Sequence, residues 1–505
     1  MAERELGRFH SMRKDRGGLM KRSQRISDAD SRSLSESVLC VDLDGTLIRT
    51  DLLAESLLLL LRFNVLYLVA IPFWLLRGRA RLKREIARRV TIDFERLPYR
   101  NELVAFLKNE HARNRHIALV TASDHRLAQG VADHLGLFGE ICASDGNRNL
   151  KGTRKAALLI ERFGPRGFVY AGDSRADLPV WREAAAAIVV GGNGSLLEQV
   201  GRQVPIERTF VDGDRMRPRA LIRAVRPHQW VKNLLLFVPL ITAHRVTDGQ
   251  AWLHATQAFF AMCLAAAAIY IANDLLDLQA DRAHRTKSGR PFASGQLPIW
   301  IGLVCIPIFL GGAWLVALGL PGVFLGWLGA YATAALAYSL WLKHVAVVDV
   351  LVLAMLYTVR LIAGAAAIGV PMSAWLLAFC MFFFLSLALV KRYEEIHAIR
   401  QDNGPAAVRG YILADLEVVG ISGIASGYMS VLVMALYTDR REISLLYSHP
   451  EWLWGFCPLL LFWISRLWLH AHRGEMHDDP ILFAAKDWSS YAVLVGLGIF
   501  MLLAS

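Results

Sequence analysis

Apolar runs follow one another from residue 231 to the end of the chain. Each is close to the length of about 20 residues that a helix needs to span the hydrocarbon core of a bilayer. The sequence therefore predicts an all-α transmembrane bundle over residues 226–505. Nine candidate spans lie near 231–247, 252–276, 298–317, 321–341, 346–368, 373–392, 417–437, 451–471 and 488–504.

The part before residue 226 has a different character. Residues 1–36 are rich in Arg, Lys, Ser and Asp without an apolar core, which predicts a disordered basic tail. Residues 37–200 alternate apolar strands with helical stretches, the pattern of an α/β domain with a parallel sheet. Residues 201–225 are polar and basic and are interpreted as a linker or an interfacial segment.

Charge and cysteine usage narrow the class of protein further. The net charge of +12 on 505 residues indicates cytoplasmic loops beside anionic lipid, and secondarily phosphorylated substrates. We find no nucleic-acid-binding motif and expect no nucleic-acid partner. Six scattered cysteines without paired spacing disfavour a disulfide framework or a zinc site and fit a reducing compartment.

The second candidate span runs into the stretch NDLLDLQADRAHRTKSGRPFASG at 273–295. Asn273, Asp277 and Asp281 are spaced i, i+4, i+8 and share one helical face. Carboxylates at membrane depth need a partner, and these oxygens suit Mg²⁺, which in turn binds phosphate oxygens. An ordinary charged loop that caps a helix is the alternative. The residues that follow are basic and suit a diphosphate: Arg282, His284, Arg285, Lys287 and Arg290.

This stretch resembles the first Asp-rich motif of the UbiA superfamily of intramembrane prenyltransferases, Asn-x-x-x-Asp-x-x-x-Asp. The resemblance implies a helical membrane enzyme that binds an isoprenoid (di)phosphate through Mg²⁺. It implies a catalytic role for Asp277 and Asp281. The implied metal ligands are Asn273, Asp274, Asp277 and Asp281, and the implied substrate ligands are His284, Lys287 and Arg290.

Polar motifs follow three of the predicted strands in the first domain. They read DLDGT at 42–46, a strand ending in Thr121, and GDSRAD at 172–177. Such strand ends are where an open α/β sheet is expected to carry its site. A carboxylate there can attack a phosphoryl group while a second one two residues on shuttles the proton, and further acids suit Mg²⁺.

In this order the three motifs resemble the haloacid dehalogenase (HAD) superfamily of phosphohydrolases. The resemblance implies Asp42 as the nucleophile, Asp44 as the general acid/base and Thr121 as a ligand of the phosphoryl group. A HAD fold that has lost activity and only binds or scaffolds is the alternative. The implied Mg²⁺ ligands are Asp42, the Leu43 backbone carbonyl, Asp44, Asp173 and Asp177.

The same resemblance implies a lysine near the nucleophile and a cap inserted after the first motif. Lys151 is preferred over Lys155, since it precedes Gly152 and a helix-like run. The cap corresponds to residues 52–95, which are very apolar in part. We interpret them as helical segments that lie against the membrane or against the second domain. A helical hairpin that dips into lipid is the alternative.

UbiA enzymes usually carry a second Asp-rich motif after the fourth span. Here Asp349 is followed four residues later by Leu353, which weakens the case for a second Mg²⁺ clamp. For Arg360 and Lys391 the alternative role is snorkelling to the interface. The candidate substrate ligands in this half are Lys343, Asp349, Tyr357, Arg360, Lys391 and Arg392.

Several stretches resemble one branch of the superfamily, the decaprenyl-phosphate phosphoribosyltransferases. They include RPHQWVKN at 226–233, LALVKRYEE at 387–395 and RLWLHAHRGEMHDDPILFAAKD at 466–487. That branch transfers 5-phosphoribose from phosphoribosyl diphosphate (PRPP) to a polyprenyl phosphate, so PRPP, the lipid phosphate and membrane lipids are the implied partners. The fused HAD domain then suggests removal of the 5-phosphate from the product.

Two other functions are weighed against this one. The first is a prenyltransferase that uses a prenyl diphosphate donor and an aromatic acceptor, and the second is a scaffold or regulatory membrane protein with inactive sites. For the preferred function we expect a multi-pass protein of the inner (plasma) membrane. Its HAD domain and the loops after spans two, four and six would face the cytoplasm.

Overall fold

The computed structural model describes residues 37–192, 194–210, 218–284, 286–402, 407–440, 447–476 and 480–504. The predicted basic tail 1–36, Arg285 and the acids Asp478 and Asp479 lie outside these ranges. The chain divides into two compact units. Of the described residues, the first unit contains those up to Leu221 together with Asp274–Gly302, and the second contains Ile222–Asn273 and those from Leu303 onward.

The first unit is built on a six-stranded sheet with the order β3-β2-β1-β4-β5-β6, in which all pairings are parallel. Its central strands are runs of apolar residues because both faces of the sheet are covered. The strands are β1 Val38–Val41, β2 Ile117–Asp124, β3 Glu140–Ser144, β4 Phe168–Gly172, β5 Ala186–Val190 and β6 Ile206–Phe210.

Helices connect these strands, and three of the four α-helices between β1 and β2 lie in the predicted cap, residues 52–95. These three are α1 Leu52–Phe63, α2 Tyr67–Leu76 and α3 Arg79–Ala87. Asp51 caps α1, because its side chain accepts a hydrogen bond from the backbone N–H of Ala54. The remaining helices up to residue 225 are α4 Asn101–Ala112, α5 His125–Leu135, α6 Thr153–Phe163, α7 Leu178–Trp181, α8 Gly194–Gly201 and α9 Pro218–Val225.

The second unit is an all-α bundle, apart from a two-stranded hairpin of Ala407–Val408 and Tyr411–Ile412. Helix α11 ends at the acidic stretch, and the short α12 follows it directly. The helices from here to the C-terminus are α10 Val238–Thr242, α11 Gly249–Leu276, α12 Leu278–Ala283, α13 Ile299–Ala317, α14 Gly322–Leu340, α15 Val348–Ile368, α16 Ala374–Asp402, α17 Leu416–Thr438, α18 Phe456–His472, α19 Pro480–Ala484 and α20 Trp488–Ala504.

Seven helical segments in the described part of the chain are long and apolar enough to cross a membrane. The predicted first span is different, since residues 227–237 form a 3₁₀ helix and α10 has only five residues. The last, α20, has 17 residues and falls just short of that length. The seven segments are α11, α13, α14, α15, Ala374–Ala398 of α16, Leu413–Thr438 and Pro450–His472.

Two expected domain boundaries need correction. Strand β6 pairs with β5, so the sheet extends past residue 200 into the segment interpreted as a linker. Residues 274–302 pack with the first unit, although by sequence they belong to a loop of the membrane domain. Contacts with α1 and with Arg49, described below, join this stretch to the first unit.

Candidate active sites

The first candidate site lies at the ends of the adjacent strands β1 and β4. Asp42 directly follows β1 and Asp173 directly follows β4, so the parallel pairing brings the two carboxylates together. Together with Asp177 they place carboxylate oxygens within 4.8 Å of one another. Three carboxylates at this spacing fit Mg²⁺, which prefers oxygen ligands.

Gly45 lets the DLDGT turn pass close to these acids. Its φ of 77° lies in the left-handed region, and a Cβ added there would come within 2.5 Å of Asp173 Oδ2. Only glycine combines this backbone conformation with so close an approach. The glycine of the motif is therefore explained by the acid on the neighbouring strand.

Lys155, and not Lys151, lies beside the nucleophile position. Its Nζ is 3.0 Å from Asp42 Oδ1 and 3.8 Å from Asp177 Oδ1, and it donates a hydrogen bond to the Tyr170 hydroxyl at 2.8 Å. Lys151 is exposed, because it precedes Gly152 and the start of α6, whereas Lys155 lies on the buried face of that helix. The preference for Lys151 is corrected accordingly.

Asp44 is held by two hydrogen bonds. Its Oδ1 accepts from the backbone N–H of Leu52 at 2.9 Å, and its Oδ2 accepts from the Ser123 hydroxyl at 2.5 Å. Thr121 is fully buried, and its hydroxyl oxygen accepts from the Ser123 backbone N–H. Thr121 therefore touches Ser123, the residue that reaches Asp44.

The sequence analysis missed Ser123, although a signal was present. Residues two apart in a strand face the same side, so Ser123 follows Thr121 on one face of β2. It also missed Lys83 of α3, whose Nζ donates to the Ala122 carbonyl at 2.5 Å and to Asn149 at 3.1 Å. Burial lowers the pKa of Lys83.

The Leu43 carbonyl is not available as a metal ligand. It accepts hydrogen bonds from the backbone N–H groups of Leu47 and Ile48, at 3.0 and 3.1 Å. Both of its lone pairs are thus used within the turn. The expected set of Mg²⁺ ligands is corrected to exclude it.

Burial sets the protonation behaviour of this centre. It raises the pKa of Asp42 to about 7 against the opposing charge of Lys155, and it raises the pKa of Asp44 to about 6 with a contribution from Asp51. Burial would lower the pKa of Lys155, but the charges of Asp42 and Asp177 outweigh it and raise that pKa. A carboxyl group that titrates near neutrality, such as Asp44, suits proton transfer.

The second candidate site is the acidic stretch after α11. Arg290 joins two of its carboxylates, since Nη1 lies 3.1 Å from Asp274 Oδ1 and 2.7 Å from Asp281 Oδ2. Lys287 and Arg290 are half-buried, while His284 is exposed. The donor set suits Mg²⁺ chemically. Within the described residues, however, the one three-acid cluster inside 4.8 Å is that of the first site.

Helix α1 contacts this acidic stretch at two points. Arg282 forms a bidentate ion pair with Glu55, with N–O distances of 2.5 and 2.9 Å, and both side chains are buried. Arg62 Nη1 lies 3.4 Å from Asp277 Oδ1 and donates to the Leu276 carbonyl at 3.2 Å. Neither contact was predicted, because more than 200 residues separate the partners along the chain.

In the second unit, Arg360 is the centre of a buried polar cluster. It donates to Asn233 Oδ1 at 2.8 Å, to the Leu356 carbonyl at 2.6 Å and to the Tyr331 hydroxyl at 2.9 Å. Its guanidinium also faces the Tyr357 ring at 5.4 Å. A buried guanidinium with these partners is inconsistent with snorkelling to the interface.

Asp349 and Arg392 form a fully buried ion pair. Arg392 Nη2 lies 2.6 Å from Asp349 Oδ2, and both side chains are 0% exposed. Asp349 Oδ1 also accepts from the Tyr411 hydroxyl at 2.7 Å, and Arg392 pairs with Glu395. In this structure each of the two side chains is engaged by an opposite charge away from solvent, and their role as substrate ligands stays a prediction.

The remaining candidates of this unit are placed as follows. Lys343 is buried, and its Nζ donates to Asn273 Oδ1 at 3.4 Å. Lys391, next to Arg392 in α16, is half-buried. Lys232 and Asn233 of the RPHQWVKN stretch are buried, and Lys232 Nζ lies 5.7 Å from the centre of the Tyr357 ring. The sequence motif thus contributes to the cluster around Arg360.

The fold and these sites define a multi-pass membrane enzyme with a hydrolase-like domain at its N-terminal end. The family model described as "UbiA prenyltransferase family" matches residues 235–501, and that of "haloacid dehalogenase-like hydrolase" matches residues 39–182. The chain belongs to the UbiA prenyltransferase family and carries an N-terminal HAD-like domain. Both resemblances seen in the sequence are confirmed.

Three similar proteins are known by sequence or structure, one over most of this chain and two over about half of it. It is 37% identical to the uncharacterized protein y4nM of Sinorhizobium fredii, over 94% of this chain and 92% of that protein. It is 39% identical to the decaprenyl-phosphate phosphoribosyltransferase of Mycolicibacterium smegmatis, over 53% of this chain and 86% of that protein. A UbiA homolog from Archaeoglobus fulgidus, solved with DMAPP and Mg²⁺, is 16% identical with a TM-score of 0.44, over 56% of this chain and 99% of that chain.

Proposed function

We propose that this protein transfers 5-phosphoribose from PRPP to a polyprenyl phosphate, and that its HAD-like domain then removes the 5-phosphate from the product. The 39% identity to a decaprenyl-phosphate phosphoribosyltransferase, over 86% of that protein, carries the proposal for the first step. The arrangement of Asp42, Asp44 and Lys155 supports the second. The two reactions are consecutive, which explains their presence on one chain.

In the transfer step, an oxygen of the lipid phosphate attacks C1 of the ribose, and the bond from C1 to the diphosphate breaks. Asn273, Asp277 and Asp281 would hold Mg²⁺, which would offset the charge of the leaving diphosphate. Lys287 and Arg290 would bind its oxygens, since a guanidinium can contact phosphate with two N–H groups. Releasing Arg290 from Asp274 and Asp281 would free it for that contact.

The other phosphate groups need cations of their own. Lys343, the Arg360 cluster and Lys391 are the candidates for the ribose 5-phosphate and the lipid phosphate. Grooves between the helices would hold the isoprenoid chain. One of about 430 Å³ lies between α17 and α18, lined mainly by apolar side chains such as Ile421, Ile424 and Leu469.

In the second step, Asp42 would attack the phosphorus of the 5-phosphate and form an aspartyl-phosphate. Asp44 would give its proton to the departing ribose hydroxyl and take one from the water that hydrolyses the intermediate. Lys155 would offset the charge around Asp42. Asp42, Asp173 and Asp177 would hold the Mg²⁺ that screens the phosphoryl oxygens.

An assay with two substrate pairs tests the transfer step. Purified protein with Mg²⁺ receives a polyprenyl phosphate and PRPP in one tube, and a prenyl diphosphate and 4-hydroxybenzoate in another. We expect a lipid-soluble pentose in the first tube, and none with Asp277→Ala. A prenylated aromatic product in the second tube, with no pentose lipid in the first, would favour the alternative prenyltransferase activity. Product in neither tube would favour the scaffold alternative.

The chemistry also leads to a proposed location. PRPP is a charged metabolite of the cytoplasm, so we infer that the HAD-like domain and the acidic stretch face the cytoplasm from the plasma membrane. The net charge of +12 agrees with cytoplasmic loops beside anionic lipid.

A further inference from the structure

We propose that Arg62, a residue of the HAD-like domain, binds the diphosphate group of the transferase substrate. The inference rests on the proposed transfer reaction, in which the acidic stretch after α11 holds that diphosphate. Arg62 lies outside residues 235–501, which match the membrane family. The proposal therefore adds a residue of another domain to the transferase site.

The position of Arg62 supports this role. It lies at the end of α1, and its Nη1 is 3.4 Å from Asp277 Oδ1. Arg290 lies closer to Asp274 and Asp281, at 3.1 and 2.7 Å, and donates hydrogen bonds to both. Each of the three carboxylates of the stretch thus has an arginine at contact distance, and one of these arginines comes from the HAD-like domain.

The guanidinium of Arg62 also has unused donors. Its contacts with Asp277 and with the Leu276 carbonyl both use Nη1, and its side chain is 26% exposed. No other acceptor among the described residues contacts its Nε or Nη2 in the structure. A guanidinium has five N–H groups, so Arg62 can remain on Leu276 while its open edge contacts two phosphate oxygens.

A buried ion pair keeps Arg62 in this place. Glu55 lies two turns earlier on the same helix and is paired with Arg282 of the acidic stretch. Gly295 of the same stretch has a φ of 71°, and a Cβ there would come within 2.6 Å of Arg49 Cβ. The contacts of Glu55 and Arg49 thus hold the acidic stretch against α1 and the residues before it. Arg62 is therefore not an isolated surface side chain.

Binding of Mg²⁺ to Asp277 would release Arg62 from its carboxylate partner. Arg62 would then exchange its ion pair with the neutralised Asp277 carboxylate for one with the diphosphate. We therefore expect Arg62 to act on PRPP affinity more than on the turnover of bound substrate.

Full-length Arg62→Gln, Arg62→Ala and Arg62→Lys variants test the proposal. Loss of a charge-assisted contact is expected to raise the KM for PRPP about tenfold or more in the Gln and Ala variants, with a smaller change in kcat. The Lys variant is expected to recover part of the loss. Arg89→Ala is the matched control, because Arg89 is another ion-paired arginine of the same insertion that contacts Glu85.

Two further measurements separate this proposal from the proposed function. Binding of radiolabelled diphosphate with Mg²⁺ is measured in an Asp173→Asn background, which removes an acid of the first site. Weaker binding by Arg62→Gln supports the proposal even if no pentose lipid is ever formed. In the Arg62→Gln variant with Asp173 intact, hydrolysis of p-nitrophenyl phosphate at the first site is expected to stay within about twofold of wild type. Arg62 is not among the residues of that site.

The proposal is overturned if Arg62→Gln and Arg62→Ala keep the wild-type KM for PRPP and the wild-type affinity for diphosphate. It is also overturned if Arg89→Ala raises the KM as much as they do. If Arg62→Ala does not fold, as judged by its melting temperature in detergent, Arg62→Gln decides alone, because its amide can still donate to Leu276.

Discussion

Single side chains decide the chemistry of the HAD-like centre, and the choice between two lysines shows how. The carboxylates Asp42 and Asp173 were predictable, because the ends of neighbouring parallel strands must meet. The lysine was not, because Lys151 and Lys155 both lie close to Gly152 in sequence. Gly152 adopts a φ of 57°, and α6 begins only after it, which turns Lys155 inward and leaves Lys151 exposed.

This difference gives a residue-scale prediction. Lys155→Met is expected to lower the phosphatase turnover about 100-fold, because it removes the charge that opposes Asp42 and the incoming phosphoryl group. Lys151→Met serves as the matched control and is expected to stay near wild type. The rate of p-nitrophenyl phosphate hydrolysis measures both, and a loss in Lys151→Met equal to that in Lys155→Met would contradict the assignment.

At the scale of elements, the long apolar helices were predictable from length and hydropathy alone, and the polar contacts between them were not. Asp349 near the start of α15 and Arg392 in α16 looked like substrate ligands in the sequence. The structure pairs them across the two helices instead, with Tyr411 of the hairpin as a third member. Which polar residue of a membrane helix meets a partner depends on helix rotation, and a hydropathy pattern does not specify that rotation.

The pairing predicts a stability effect. Arg392→Leu leaves the buried Asp349 carboxylate without an opposite charge, which costs about 3–5 kcal/mol. Asp349→Leu leaves Arg392 with Glu395 as its remaining ionic partner and is expected to cost less. The double variant removes both charges and is expected to be more stable than either single variant. Thermal unfolding of the purified protein in detergent checks this order. If the stability losses of the two single variants add up in the double variant, the two residues do not act as a pair.

For the whole molecule, the sequence suggested two domains joined by a linker, with the acidic stretch belonging to the second. The structure places residues 274–302 in the same compact unit as the HAD-like sheet. Glu55 and Arg62 of α1 contribute to this placement, since they lie at ion-pair distance from Arg282 and Asp277, more than 200 residues away in sequence. Pairings of this range leave no periodic signal, so a single sequence does not reveal them.

This arrangement bears on why the two activities share one chain. The HAD-like domain supplies side chains to the stretch that is proposed to bind PRPP, and its own site is proposed to act on the product. We therefore expect the order of the two reactions to be fixed, with transfer first and dephosphorylation second. Loss of Asp42 should stop the second reaction without preventing the first.

Mass spectrometry of the lipid product tests this central claim most directly. Wild type and Asp42→Asn are each incubated with Mg²⁺, PRPP and a polyprenyl phosphate, and the lipid extracts are compared. The account predicts polyprenyl-phosphoryl ribose from wild type and the same lipid with one additional phosphate from Asp42→Asn. An identical product from both proteins, with or without the 5-phosphate, would contradict it.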